Sequence, residues 1–324
     1  MALLPPEFIR ILISSVLIVS FVFLNAMILV YIERKVAGHI QRRPGPMEVG
    51  PHGILQTLID GLKLMGKQII FPDNIDKPLF CIAPLLAFVP AVVAFVVIPF
   101  SPKLQAVDLD MGIIFILALA SLNVLAILLA GWSSNNKYSL IGAMRSVAQN
   151  IAYEIPMLLS LLAVLFMTNS LSMKSIVEAQ KPLWFIVVQP VAFLIYFIAS
   201  LAETNRAPFD LPEAESELTA GFHTEYGGMA YGLFYLGEYA NMVMVGAITT
   251  TFFLGGWSGP PLPYMEYSGA FWFLAKVYFI VFSMIWFRWT FPRVRFDQLM
   301  NFCWKIMVPF GLVNLMITAL VLKI

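Results

Sequence analysis

Eight stretches of this chain are runs of about twenty nearly unbroken apolar residues, and nothing constrains its fold more. They cover 11–33, 79–100, 111–131, 151–171, 183–202, 234–257, 268–288 and 302–322, and the first carries no charge from Ile11 to Ile32. A hydrocarbon core of ~30 Å takes roughly 20 apolar residues of helix to cross. Lipid offers backbone polar groups no partners, so such runs must satisfy their own hydrogen bonds as helices. The expected fold is therefore an all-α integral membrane protein with eight transmembrane helices, a single polytopic domain over residues 1–324. Composition points the same way. The chain is 60% hydrophobic and 12% charged, about half the charge of a soluble globular domain, and it cannot coat a soluble fold of this size. The first apolar run is too long for a secretory leader and lacks a small-residue cleavage site.

Basic residues orient the spans. Arg34, Lys35, Arg42, Arg43, Lys63, Lys67, Lys77, Lys137, Arg145, Arg206, Arg288, Arg293 and Arg295 fall in the connections after the odd-numbered spans, against Arg10, Lys103, Lys174, Lys181 and Lys323 on the other side. Thirteen against five puts the odd-numbered connections in the cytoplasm and both termini on the opposite, periplasmic side. Residues 50–70, in the first of these connections, read as an amphipathic helix lying in the interface. Ile54, Leu58, Leu62, Met65 and Ile69 share one face, and Gln56, Asp60, Lys63 and Lys67 another.

The third cytoplasmic connection is where chemistry is most concentrated. It holds Glu203, Asp210, Glu213, Glu215, Glu217 and Glu225 around Arg206, with His223 and Tyr226 beside them and Pro208, Phe209, Leu211 and Pro212 interleaved. Crowded, partly desolvated carboxylates repel one another and hold protons nearer neutrality, as a proton relay or redox-coupled switch requires. Glu154, Glu238 and Lys276 fall near or inside apolar spans. A charge at mid-bilayer costs roughly 2.5–3.5 kcal/mol on insertion scales, so such residues face a polar interior and often mark ion pathways. Tyr231, Tyr235 and Tyr239 recur at helical spacing around Glu238 and could supply it with hydroxyls. An interhelix hydrogen bond is the structural alternative for Glu238, and a solvated loop is the alternative for the acidic run.

Other classes lack support. A net charge of +1 provides no basic face for nucleic acid. Cys81 and Cys303 lie far apart, and His39, His52 and His223 have no ligand spacing, so a metal or iron–sulfur centre held by this chain is not expected. Redox centres would have to come from a partner. An independent transporter would need repeat symmetry, which is not evident, and a passive anchor would not need Glu238 or Lys276.

Five runs, in order, carry a resemblance: Glu33-Arg-Lys35, Gln41-Arg-Arg-Pro-Gly-Pro46, Gly131-Trp-Ser-Ser-Asn-Asn-Lys-Tyr-Ser-Leu-Ile-Gly-Ala-Met-Arg145, Arg206-Ala-Pro-Phe-Asp-Leu-Pro-Glu-Ala-Glu-Ser-Glu-Leu218 and Pro292-Arg-Val-Arg-Phe-Asp-Gln298. Together they resemble the H-subunit family of the bacterial NADH–quinone oxidoreductase, respiratory complex I, over essentially the whole chain. The resemblance implies a component of the cell inner membrane that forms part of a quinone chamber and couples quinone reduction to proton pumping. It implies Glu33, Arg34, Asp60, Lys63, Arg206 and Arg288 at or near the quinone. Asp210, Glu213, Glu215, Glu217 and Glu225 correspond to the chamber acids, and Glu154, Glu203 and Glu238 to the acids leading away from it. Quinone is then the substrate, with FMN and iron–sulfur clusters on partner subunits and no cofactor in this chain. The implied partners are hydrophilic quinone-site and iron–sulfur subunits, small membrane subunits, antiporter-like subunits and lipid. Relatives in energy-converting hydrogenases and in ferredoxin- or deazaflavin-dependent enzymes form the alternative reading. The chain departs from the common pattern at Met47-Glu48 and at Gln68, where many members carry an acid.

Overall fold

The computed structural model describes residues 6–211, 215–260 and 268–323, with side chains omitted for 6–10 and 215–216. Helix is the only regular structure among the described residues, with no strand among them. In order they form α1 (Pro6–Ile40), α2 (Gln56–Gly66), α3 (Lys77–Ala94), α4 (Gly112–Ser133), α5 (Lys137–Thr168), α6 (Met173–Ala179), α7 (Phe185–Val188), α8 (Pro190–Glu203), α9 (Glu215–Leu218), α10 (Gly228–Phe253), α11 (Ser268–Thr290), α12 (Phe296–Phe302) and α13 (Val308–Lys323). A π-turn over Cys303–Met307 joins the last two.

Among the described residues, six helical segments are long and apolar enough to cross a membrane: Ile11–Ile40, Lys77–Ala94, Gly112–Ser133, Lys137–Thr168, Ser268–Thr290 and Phe296–Lys323. The other two expected spans take different forms. The 183–202 run breaks between Val188 and Pro190, because proline cannot continue the ladder, leaving α8 only 14 residues long. Gln189 seals the break, donating to Thr318 Oγ1 at 2.8 Å and accepting from Asn314 at 3.1 Å. The 234–257 run belongs to α10, whose 26 residues begin at Gly228. It carries Glu238, Asn241 and Thr249–Thr251 and is almost wholly wrapped by other helices. A helix covered by protein needs no apolar exterior, so its polarity follows from its central position.

Around α10 pack α3, α11 and α1, while α4, α8 and α13 pack on α5. Gly237 brings α10 against the Ala87 carbonyl of α3, where a Cβ would stand 3.0 Å from that oxygen. Gly142 lets the short turn Gly221–His223 rest directly on α5, Gly221 Cα lying 2.8 Å from where a Cβ would be. Both close approaches flank the polar interior. At 1.5 Å per residue, the 35 residues of α1 run about 50 Å, well beyond a ~30 Å hydrocarbon core, so one end projects past it.

The amphipathic segment is shorter than expected. A turn over Pro51–Gly53 precedes α2, and the chain is extended from Lys67. Leu58, Leu62 and Met65 are exposed, forming an outward apolar stripe, while Asp60 turns in toward α1.

Candidate functional site

A chain of alternating charges runs through the interior where α1, α10 and α11 meet the connection after α8. Glu33, buried on α1, accepts Arg288 of α11 and Arg206 on the same oxygen, Oε1, the latter at 3.5 Å. Its other oxygen accepts the Tyr239 hydroxyl at 2.6 Å. The Arg206 guanidinium sits 4.6 Å over the Tyr239 ring and places Nη2 3.5 Å from Glu238 Oε2. Glu238 Oε1 in turn lies 3.7 Å from His223 Nε2. Burial works against the charge on Arg206, but Glu33, Tyr239 and Glu238 outweigh it and push its pKa upward, so it remains a cation.

The chain of charges ends at a cavity. Glu238 and Glu203 line one small space together with Asn123, Thr204, Asn205 and Asn241. Ala87, Ile127, Phe222 and Phe234 complete its walls. Its volume of about 20 Å³ exceeds the ~10–15 Å³ that one water requires, with the polar side chains to supply the two to four partners a water needs. Beyond it, Glu154 is near enough to Glu203 for the two carboxylates to repel. Glu33, Arg206, Arg288, Glu238 and Glu203 thus form one connected arrangement, with Glu154 next along it.

The remaining candidates are dispersed. Arg34, next to Glu33 in sequence, points outward to Asp60 of α2 at 2.5 Å, and Gln56 donates to the same carboxylate at 2.9 Å. Burial tends to raise the Asp60 pKa, but the Arg34 and Gln56 hydrogen bonds and the Arg34 and Lys63 charges bring it below its ordinary value. Lys63 itself is exposed. Asp210 pairs with Arg293 at 3.2 Å, Glu217 with Arg145 at 2.5 Å, and Glu225 accepts from Asn136 at 2.7 Å. Glu213 lies outside the described residues, and for Glu215 the backbone alone is described.

Three expectations are corrected. Asp210, Glu217 and Glu225 do not form a self-repelling cluster, because each has its own donor from another element. Glu217 is consequently lowered, not raised, by Arg145. The Tyr239 hydroxyl serves Glu33, not its sequence neighbour Glu238. Lys276 is a cap: its Nζ donates to the carbonyls of Leu254, Gly256 and Ser258 at 2.7, 3.0 and 2.6 Å, with Trp184 packed against it at 4.3 Å. That satisfies the Leu254 carbonyl at the C-cap of α10 and two carbonyls of the connection just beyond it.

Sequence reasoning missed Asn123, Asn136, Asn241 and the pairing roles of Arg145 and Arg293. Asn136 is also the N-cap of α5, accepting from Tyr138 N at 3.0 Å. Tyr226 anchors the loop beside it, stacked on Phe80 at 4.0 Å and bonded to Ser133 and the Phe80 carbonyl. Burial pushes its pKa up to about 12, so the hydroxyl stays protonated. Among the described residues no three His, Cys, Asp or Glu side chains converge where a metal could sit.

Residues 13–319 match the protein family described as NADH dehydrogenase. The NADH-quinone oxidoreductase H-subunit of Desulfotalea psychrophila is 50% identical over 328 residues, covering 98% of each chain. Its counterpart from Dehalococcoides mccartyi is 51% identical over 311 residues, covering 96% of this chain and 86% of that one. An H-subunit of the same enzyme from Geobacter metallireducens is 47% identical over 344 residues, covering 99% and 98%.

Proposed function

This chain belongs to the NADH dehydrogenase family, and on that premise we propose that it is the membrane H-subunit of a proton-translocating NADH–quinone oxidoreductase. In this reading it supplies part of the quinone chamber and passes the consequence of quinone reduction toward the proton-pumping subunits. It sits in the inner membrane as one polytopic domain with both termini periplasmic. Its partners are hydrophilic quinone-site and iron–sulfur subunits, small membrane subunits and antiporter-like subunits. FMN and iron–sulfur clusters on those partners deliver the electrons.

The observation that carries the reading is the unbroken succession Arg288–Glu33–Arg206–Glu238, ending at a small cavity shared with Glu203. Reducing a quinone to a quinol consumes protons along with electrons. A proton drawn from, or a charge developed near, the Arg288 end changes the field felt by every member of a buried chain, since a low-dielectric interior screens little. Glu33 is held between two guanidinium groups, and Glu238 between Arg206 and His223, so a proton gained or lost at either carboxylate alters the pairing of the next. The Arg34–Asp60 pair holds the amphipathic helix against α1, with Lys63 nearby on its exposed side, and the helix's apolar stripe faces the lipid from which a hydrophobic substrate comes. Asp210, Glu213, Glu215, Glu217 and Glu225 form the acidic lining of the partner-facing loop.

The test is Glu238→Gln and Glu203→Gln in the assembled enzyme. Inhibitor-sensitive quinone reductase and proton pumping should fall together, by tenfold or more, while electron transfer to an artificial acceptor at the flavin is kept. Full coupled turnover in both variants would remove this route.

A further inference from the structure

A second recess lies at the opposite end of α1 from Glu33, with a volume of about 860 Å³. Its walls are α1 from Ile13 to Leu24, the start of α11 at Ala270 and Leu274, and the α3–α4 connection at Lys103 to Ala106. An aromatic floor closes its inner side. Phe21 packs edge-on to Phe95 and Phe100 at 5.8 and 5.3 Å, and Phe100 on Phe273 at 5.4 Å. The outer rim is open: Ile13, Leu17, Leu24 and Leu104 are all at least half exposed.

Two features define the occupant. From Ile13 to Leu24 the groove follows α1 over 12 residues, roughly 16 Å between the end residues at 1.5 Å per step, which is close to half of a ~30 Å hydrocarbon core. It is one leaflet deep. At its mouth stands Lys103, which has no ion pair or side-chain hydrogen bond among the described residues. The backbone beneath Lys103 is pinned: Lys103 N binds Ser101 Oγ, Phe100 N binds the Leu104 carbonyl, and Leu104 N binds the Ser101 carbonyl, at 3.3, 3.1 and 3.1 Å. The backbone that carries the cation is therefore held in place where the apolar groove opens.

We propose that this groove binds an anionic phospholipid of the leaflet opposite the Arg206–Arg288 cluster, with its acyl chain along α1 and α11 and its phosphate on Lys103. A basic residue at the interface attracts anionic headgroups, and the aromatic floor offers a chain a rigid apolar wall. The site is separate from the quinone-chamber reading and does not depend on it.

The experiment uses the assembled complex in vesicles containing a trace of phosphatidylglycerol with a photoreactive group at the acyl terminus, followed by peptide mapping. Label is expected on the 13–24 and 270–274 segments, displaced by unlabelled phosphatidylglycerol and poorly by phosphatidylcholine. Lys103→Glu, on an exposed connection, should lower that labelling about fivefold or more, and Ala270→Trp, which fills the groove, should abolish it. Uniform labelling of all lipid-facing helices, equal competition by phosphatidylcholine, or labelling unchanged in Lys103→Glu would each overturn the proposal. Displacement by quinone and not by phosphatidylglycerol would make the groove a quinone site instead. Labelling of another protein of the complex in place of α1 and α11 would mean that protein covers it.

Discussion

Glu33 and Arg206 form an ion pair almost entirely withdrawn from solvent, their side chains 7% and 4% exposed and their charged atoms 3.5 Å apart. Neither group can fall back on water if its partner is lost. Breaking a buried pair by removing one member costs about 3–5 kcal/mol, mostly from the charge left behind. Glu33→Ala takes the shared carboxylate from two guanidinium groups at once, leaving Arg206 only Glu238 and Arg288 no carboxylate partner among the described residues. Arg206→Ala leaves Glu33 its Arg288 and Glu238 its His223. The first variant should therefore lower the complex's melting temperature and assembled yield more than the second. Equal losses would show that the two arginines do not share Glu33 energetically.

Tyr239→Phe separates the hydroxyl from the ring. The ring still lies under Arg206, but Glu33 loses its 2.6 Å donor. Hydrogen bonds to charged groups contribute about 1.5–3 kcal/mol, so quinone reductase should fall on the order of tenfold or more with assembly maintained. Tyr235→Phe, one hydroxyl further back at 3.3 Å from Tyr239, should have a smaller effect. A wild-type rate in Tyr239→Phe would take the hydroxyl out of the coupled chain.

Asp60 and Arg34 give a prediction in pH and salt. Because the folded state lowers the Asp60 pKa from 3.8, the pair's contribution is complete above the unfolded value and is lost only as pH falls through the lower, folded one. The stability difference between wild type and Asp60→Asn should then be constant from pH 5 to 8 and shrink as salt is added. The same sign holds for Glu217 and Arg145. Melting curves at several pH values decide this; a difference that varied across that window would mean Asp60 titrates near neutrality.

Lys276 provides a contrast with the acids. As a cap on the α10 terminus it contributes to stability, and Lys276→Met leaves three carbonyls without their donor. Each buried unsatisfied group costs about 1–3 kcal/mol. The variant should melt at a lower temperature and assemble in lower yield, yet pump normally per assembled enzyme. Loss of pumping at full stability would return Lys276 to an ion pathway.

The helices were legible because lipid imposes a simple rule, and Glu238 stood out as an acid within an apolar run. Partnerships were not legible. Arg145 reaches Glu217 across 72 residues and Arg293 reaches Asp210 across 83, so a local reading saw an acidic excess where folding supplies compensating cations. Lys276 misled for the same reason: a cation in an apolar run has one sequence signature whether it conducts or caps. The character of α10 was hidden too, since which helix is central depends on its neighbours, whereas Pro190 marked the division of α7 from α8.

The seal at Gln189 makes α8 a lever. Its fulcrum is a pair of side-chain contacts to α13 in place of a continuous backbone ladder, and Glu203 is its tip, 14 residues or about 21 Å away. A tilt of about 5° at such a fulcrum moves the tip by about 2 Å, more than separates a sound hydrogen bond from none. Substitutions at Asn314 or Thr318, on a different helix from any acid, would thus be felt first as a change in the reach of Glu203.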